Sequence, residues 1–142
     1  MRAAREAPLP EAVRLALERL FGSSVAHVRV IEYSWFARAH GRAVATTRRR
    51  RIYLSGSAAE FFANPWLILH EYFHVIRQWH PGSLTVTRYL LECLRHGYWN
   101  NRFEVEARGF ADLNVGSLRA ALAQPTIRDP REEPVQQRAA ER

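Results

Sequence analysis

His70-Glu71-Tyr72-Phe73-His74 is a complete H-E-x-x-H sequence, and it decides how the rest of the chain is interpreted. The flanking residues predict a helix around it: Asn64 is a good N-cap, Pro65 suits the first helical position, and His80-Pro81-Gly82 stops the helix. Within a helix, side chains four residues apart project from the same face, one turn apart. The two histidines of the motif are therefore expected to present their imidazoles side by side.

Zinc is the metal that this pattern favours. Two neutral imidazoles at that separation can share one zinc ion, and Glu71, the next residue round the helix, then lies beside the metal as a base for a bound water. The alternative is a pair of core histidines that have this spacing by chance. The glutamate and the well-formed helix start favour the first interpretation, so we predict Zn²⁺ ligands at His70 and His74 and a catalytic base at Glu71.

A third protein ligand is needed if zinc is to keep one position open for water. The best source is a second predicted helix over residues 101–112, which has apolar residues at helical spacing. Its two carboxylates, Glu104 and Glu106, lie two positions apart and point about 200° apart, so both cannot face the metal. Glu104 shares its side of the helix with the small residues Ala107 and Ala111, and this geometry favours Glu104 without excluding Glu106.

The two segments together resemble a known class of enzyme. H-E-Y-F-H followed about thirty residues later by N-R-F-E-V-E-A-R is similar to the gluzincin type of zinc metallopeptidase, which takes two histidines from one helix and a glutamate from the next. More closely, the chain resembles the small domain of unknown function, with a peptidase signature, found in core proteins of extracellular contractile injection systems. The resemblance covers most of the chain, in segments at residues 9–22, 26–30, 37–43 and 52–78. It implies a leading helix, a short strand and a small-residue helix ahead of a further strand and the H-E-x-x-H helix.

The resemblance also implies a choice between the two carboxylates. In gluzincin-like sequences with an E-x-E-A segment the first glutamate is the ligand, and it corresponds to Glu104 here. The pattern departs at Arg108, where many gluzincins have an Asp or Asn that orients a ligand histidine, because an arginine cannot accept a hydrogen bond from imidazole. A backbone carbonyl or Asp112 is left for that role.

The expected fold class is α+β: a small zincin-like metallopeptidase domain, mostly helical, with a small β-sheet and the H-E-x-x-H helix at its active site. Apolar periodicity, helix caps and chain breakers predict the order of its elements. The first half is predicted to hold a helix over residues 11–21, a strand over 25–33, a short helix over 35–40 and two short strands within 43–54 around an arginine run. A helical turn over 57–62 and the long helix from 65 follow. The last elements are a helix from 83 or 85 to 97, the helix that carries Glu104, and a last turn over 118–122 that Ser117 caps.

Length and composition fit a single globular domain. With 142 residues, 47% of them hydrophobic, the chain can bury one core. We expect the metallopeptidase domain to occupy residues 1–123, and a disordered tail of low hydrophobicity and mixed charge to occupy residues 124–142. The one cysteine, Cys93, cannot form an internal disulfide and lies among leucines, so we expect it to be a small core residue.

Neither a secretion signal nor a membrane span is apparent in the sequence. Residues 1–22 mix polar and apolar residues, and no apolar stretch approaches the length that a membrane span needs. A cytoplasmic location is therefore the expectation, with non-classical export left open.

The net charge of +7 raises the question of nucleic-acid binding. The most basic stretch is Arg48-Arg49-Arg50-Arg51, which can neutralise several phosphates. Because no helix-turn-helix, zinc-knuckle or stacking pattern accompanies it, a turn and edge strand with solvated arginines is the better interpretation, and nucleic acid is not the expected partner. The arginines can also face an acidic substrate or partner.

The function expected from these features is hydrolysis of a peptide or protein substrate. Its transition state needs a donor for the developing oxyanion, and His96 and Tyr98 are the best candidates, with Tyr89 a weaker one. Packing at a helix end is the commoner role for such residues. The alternative function is a non-catalytic interaction module of a larger assembly, in which zinc only holds helices together and a fourth side-chain ligand closes the site.

Overall fold

The chain forms a mostly helical α+β domain with one four-stranded sheet, as the sequence predicts. A computed structural model describes residues 2–39 and 44–124. The strands are β1 (Arg5–Ala7), β2 (Arg29–Glu32), β3 (Ala45–Arg48) and β4 (Arg51–Leu54). The helices are α1 (Glu11–Phe21), α2 (Trp35–Ala39), α3 (Ala58–Phe62), α4 (Pro65–Phe73), α5 (Val86–His96) and α6 (Arg102–Ala123), and a π-helical segment, His74–Trp79, continues α4.

The sheet has the strand order β1-β2-β4-β3, so β1 and β3 are its edges. β1 pairs antiparallel with β2, β2 runs parallel to β4, and β3 and β4 form an antiparallel hairpin. Arg49, in the hairpin turn, has a φ of 55°, the left-handed conformation that tight hairpin turns use. The predicted pair of strands around the arginine run is confirmed. β1 has no counterpart in the sequence prediction, because its three residues are too few to show an alternating pattern.

β2 is shorter than the strand predicted over residues 25–33. The Val28 N–H donates to the Val25 carbonyl at 3.0 Å, so the chain turns before β2 begins. Both valines are buried in the core, and this burial explains their apolar, β-branched character without a strand.

The hydrophobic core lies between the sheet and helices α1, α3, α4 and α6. The predicted stripe of α1 faces it with Val13, Leu17 and Phe21 buried, while Leu20 is only partly buried. Gly22 ends α1 as predicted: its φ is 67°, and its N–H donates to the Glu18 carbonyl at 2.9 Å. α1 therefore begins and ends where the sequence indicates.

α4 also begins as predicted. The Asn64 side chain accepts a hydrogen bond from the Leu67 N–H at 3.1 Å, and Pro65 occupies the first turn. After Phe73 the helix widens into the π-helical segment, where the His80 N–H bonds to the Val75 carbonyl at 2.9 Å. α4 packs along α6, and this contact brings together the two helices that carry the predicted ligands.

α6 is one uninterrupted helix, so the separate last turn predicted over residues 118–122, with Ser117 as its cap, is wrong. Leu118 is fully buried against the core. That burial holds the helix through Gly116, although glycine costs about 1 kcal/mol in a helix interior.

α5 has the predicted bounds but not the predicted environment. Thr85 caps it by accepting a hydrogen bond from the Arg88 N–H at 3.2 Å, and it ends at Gly97. None of its residues is buried, and Leu94 is 83% exposed. Cys93 is only partly buried, so its prediction as a core residue is wrong; α5 turns its apolar face to a cleft and to solvent instead of the core.

Parts of three predictions lie outside the described residues: the tail, apart from Gln124, the end of the short helix expected over residues 35–40, and residue 43 at the start of the range predicted to hold two strands. In the ranges 2–39 and 44–124, no helix combines the length and the apolar character needed to cross a bilayer.

Candidate metal centre

His70, His74 and Glu104 converge on one point between α4 and α6. Glu104 Oε2 lies 3.1 Å from His70 Nε2 and 3.5 Å from His74 Nε2, and the two Nε2 atoms are 3.2 Å apart. All three side chains are buried. Among the residues that the structure describes, they are the one group of His, Cys, Asp or Glu side chains spaced to hold a metal ion.

The three distances lie within about 0.2 Å of those in a tetrahedral zinc site. Zinc binds imidazole nitrogen and carboxylate oxygen at about 2.0–2.2 Å, so two of its ligand atoms lie about 3.3–3.5 Å apart. Glu104 Oε2 is also buried and has no hydrogen-bond partner within the described part of the chain. A buried carboxylate oxygen without a donor is costly, and a cation among the three atoms removes that cost. These residues therefore fit a zinc ion.

Gln78 determines which nitrogen of His74 carries the proton. Its Nε2 donates to the Phe103 carbonyl at 3.0 Å and to a Glu106 carboxylate oxygen at 2.9 Å, so Oε1 is the atom that faces His74 Nδ1, at 2.6 Å. An amide oxygen can only accept, and Nδ1 must therefore be the protonated nitrogen. In the neutral imidazole the lone pair then lies on Nε2, which faces the other two candidate ligands.

His70 is held by stacking. Trp66, one turn earlier in α4, lies parallel to the imidazole, with ring centroids 5.1 Å apart and planes 20° apart. The Trp66 indole N–H donates to Asp112 Oδ1 at 2.7 Å. The expectation that Asp112 or a backbone carbonyl orients a ligand histidine directly is therefore wrong: Asp112 holds Trp66, and Gln78 is the partner of His74.

Glu104, and not Glu106, faces the two histidines. Glu104 lies in the first turn of α6, where the helix dipole favours a carboxylate, and its Oε1 accepts a hydrogen bond from the Tyr89 hydroxyl at 2.9 Å. Glu106 lies on the exposed side of the helix. Burial opposes a charge on Glu104, but in the metal-free protein the hydrogen bonds and positive charge of protonated His70 and His74 outweigh burial and hold its pKa well below the ordinary value of 4.5. Glu104 is consequently ionised at neutral pH, as a carboxylate ligand must be.

Glu71 lines the same cleft as the three candidate ligands and is itself buried. Burial raises its pKa above the ordinary 4.5, and this effect exceeds the opposing influence of His74 and His70. A raised pKa brings the carboxyl closer to neutral pH, where one group can both accept a proton and return it.

Two of the three candidate oxyanion donors lie at the cleft. Tyr98 and Tyr89 line it, whereas His96 does not and lies 4.0 Å from Glu92. Tyr98 is 59% exposed, and its partial burial, with the charge of Glu104, raises its pKa to about 12, so its hydroxyl is protonated and able to donate at neutral pH. The Tyr89 hydroxyl donates to Glu104 at 2.9 Å, whereas a hydrogen bond with Glu104 is only the smallest influence on the Tyr98 pKa, so Tyr98 is the less committed donor of the two.

The candidate metal centre opens onto a cleft of about 490 Å³, large enough for several side chains. β3 forms one wall, and the π-helical segment and α5 form others. The apolar lining consists mainly of Phe36, Trp79, Leu84, Val86 and Leu90.

The fold and the site together define a small α+β domain with a buried His-His-Glu group beside an apolar cleft. The chain belongs to the extracellular contractile injection system (eCIS) core domain family, whose profile matches residues 8–82, just over half of its length. The matched region contains His70, Glu71 and His74 and ends before Glu104. No curated protein and no solved structure matches the chain. The resemblance to injection-system core proteins is thus confirmed, while its peptidase part stays a prediction.

Two residues that support the histidines are absent from the sequence prediction. Gln78 lies four residues after His74, and Trp66 lies four residues before His70. A spacing of four puts each on the same helical face as its histidine, so the chain did carry a signal for them. Which residues of α6 they contact could not be predicted, because contacts between helices have no counterpart in local spacing.

Proposed function

We propose that the protein is a gluzincin-type zinc metallopeptidase with a zincin-like active site. His70, His74 and Glu104 would hold the zinc, and Glu71 would act as the general base. The observation that carries the proposal is the convergence of three buried ligand atoms, 3.1 to 3.5 Å apart, at the side of a cleft that Glu71 also lines.

A zinc ion bound there would lower the pKa of a water ligand and polarise a peptide carbonyl. Glu71 would take the proton of the attacking water and pass it to the leaving nitrogen, a double role that its raised pKa supports. Tyr98 would donate a hydrogen bond to the developing oxyanion. Gln78 would keep the lone pair of His74 on Nε2 throughout the reaction.

A second candidate function is favoured by α5. Leu90, Leu91 and Leu94 are exposed on a helix that has no buried residue. Membership of the eCIS core domain family also points to a larger assembly. In this alternative the metal only holds α4 and α6 together, and the surface of α5 binds a protein partner.

Comparison of the wild type with Glu71→Gln tests the proposal. The substitution removes the proton acceptor but keeps size and polarity, so zinc content and fold should be retained. Both proteins would be analysed for metal by mass spectrometry, which also distinguishes zinc from cobalt or manganese. Cleavage of casein and of a mixed peptide library would then be measured at several pH values, with and without a chelator.

We expect one zinc ion per chain in both proteins and chelator-sensitive cleavage by the wild type alone. Glu11→Gln is the matched control, because it makes the same substitution at an exposed carboxylate on α1 and should cleave at the wild-type rate. Equal cleavage by wild type and Glu71→Gln would disprove the mechanism. Zinc binding without cleavage under any of these conditions would favour the interaction module.

A further inference from the structure

The proposed chemistry leaves the arginine hairpin, Arg48–Arg51, without a role. All four side chains are exposed, and none of them forms a salt bridge within the described residues. The positive charge of Arg51 helps to lower the pKa of Glu6, and that of Arg50 helps to lower the pKa of His27. Arg48 and Arg49 have no such neighbour in the described part, and like charges held close together repel unless something neutralises them.

Arg48 differs from the other three arginines in its position. It is the last residue of β3, the edge strand, and it lines the cleft that contains the candidate metal centre. It is the one Arg or Lys residue among the described residues that line this cleft. The carboxylates there belong to Glu71 and Glu104. A divalent cation would offset their two negative charges, so the charge of Arg48 would make the net charge of the cleft positive.

The other residues that line the cleft indicate which class of ligand fits it. Phe36, Leu84, Val86 and Leu90 give it a largely apolar lining, which suits hydrocarbon side chains and not a phosphate backbone. The Thr46 and Thr47 positions of β3 continue this wall towards Arg48. One ligand that uses both features is a polypeptide with an apolar residue in the cleft and acidic residues beside it.

We propose that Arg48 makes the cleft selective for polypeptides in which acidic residues flank an apolar residue. This inference rests on the proposed function and names the substrate class of that site. An exposed ion pair changes a binding constant by roughly two- to fivefold, and replacing attraction by repulsion about doubles that effect in free energy. Reversal of the charge at Arg48 should therefore change the ratio of the dissociation constants for acidic and neutral peptides by about tenfold.

Peptide binding to the zinc-loaded Glu71→Gln protein tests this inference without requiring turnover. Three fluorescent peptide pools would share a central leucine and carry Glu, Gln or Lys on both flanks, and their dissociation constants would be measured by anisotropy. We expect the Glu pool to bind roughly fivefold tighter than the Gln pool at low salt, and the difference to shrink in 0.5 M salt. In Arg48→Gln the difference should shrink, and in Arg48→Glu the preference should move further, towards the Lys pool.

Arg119→Glu is the matched control, because Arg119 is an exposed arginine on α6 that does not line the cleft. It makes the same change in net charge and should leave the preference intact. Equal affinity for the Glu and Lys pools would overturn the inference, as would tighter binding of an oligonucleotide of equal charge than of the Glu pool. A preference for the Glu pool without any cleavage by the wild type would refute the proposed function alone, and charge-independent cleavage would refute this inference alone.

Discussion

Gln78 provides the sharpest test of how the candidate metal centre is built. Its Oε1 faces His74 Nδ1 at 2.6 Å, and its Nε2 is committed to the Phe103 carbonyl and to Glu106. Gln78→Met keeps the length and approximate volume of the side chain but removes both hydrogen-bonding groups. The thioether is too weak an acceptor to hold the Nδ1 proton.

The size of the effect follows from what each partner loses. Glu106 is exposed and can bond to water instead, and the Phe103 carbonyl lies within a helix. Only His74 Nδ1 is left buried without a partner, at a cost of about 1–3 kcal/mol. The proton can then shift to Nε2, which removes the lone pair from the metal-binding side. Loss of such a supporting partner lowers metal affinity by about 10- to 100-fold, and we expect that range here.

The assay is a competition titration of zinc against a chromophoric chelator, paired with thermal unfolding of the metal-free protein. Glu106→Gln is the control, since its amide oxygen can still accept from Gln78 Nε2, and its zinc affinity should stay within about twofold of the wild type. If Gln78→Met unfolds at a lower temperature but binds zinc as tightly as the wild type, Gln78 is merely structural. The tautomer argument would then be refuted.

Three further predictions concern single residues. Glu104→Ala should weaken zinc binding by orders of magnitude while Glu106→Ala changes it little, and the opposite ranking in the same titration would show that the wrong carboxylate was chosen. His70→Ala or His74→Ala should each remove nearly all bound zinc from the purified protein; near-stoichiometric metal in the double variant would contradict the site. Glu32 accepts a hydrogen bond from the Ala58 N–H at 2.8 Å and pairs with Arg5, which together lower its pKa below 4.5. Its stabilising contribution is therefore present at neutral pH and lost as the pH falls below about 4.5, so Glu32→Gln should unfold with a weaker acid dependence than the wild type, as followed by circular dichroism.

The sequence predicts the helices well because their signals are local. Asn64 and Pro65 mark the start of α4, Gly22 marks the end of α1, and Thr85 caps α5. Each acts on backbone groups within a few residues, so no tertiary information is needed. The α+β class follows from the same signals.

The sequence predictions fail where the burial of a residue does not follow from the local sequence pattern. The β-branched residues at Val25 and Val28 pack into the core from a turn, and Leu118 holds α6 together beyond Gly116. The leucines of α5 show a clear apolar stripe, yet that stripe lines a cleft and meets solvent. Periodicity reports that a face is apolar and does not report what covers it.

In the candidate metal centre, one helix contains both a feature that the sequence predicts and a feature that it does not. The His74 N–H still bonds to the His70 carbonyl, so the two histidines keep the α-helical spacing on which the H-E-x-x-H prediction depends. The π-helical segment begins at His74 itself, and from there the hydrogen bonds reach back five residues. This widening changes the direction of the side chains that follow, and Gln78, at 1% exposure, points into the contact with α6. The spacing of four residues marks Gln78 as a neighbour of His74, but an α-helical pattern contains no information about this widening, so the sequence does not show that Gln78 also reaches α6.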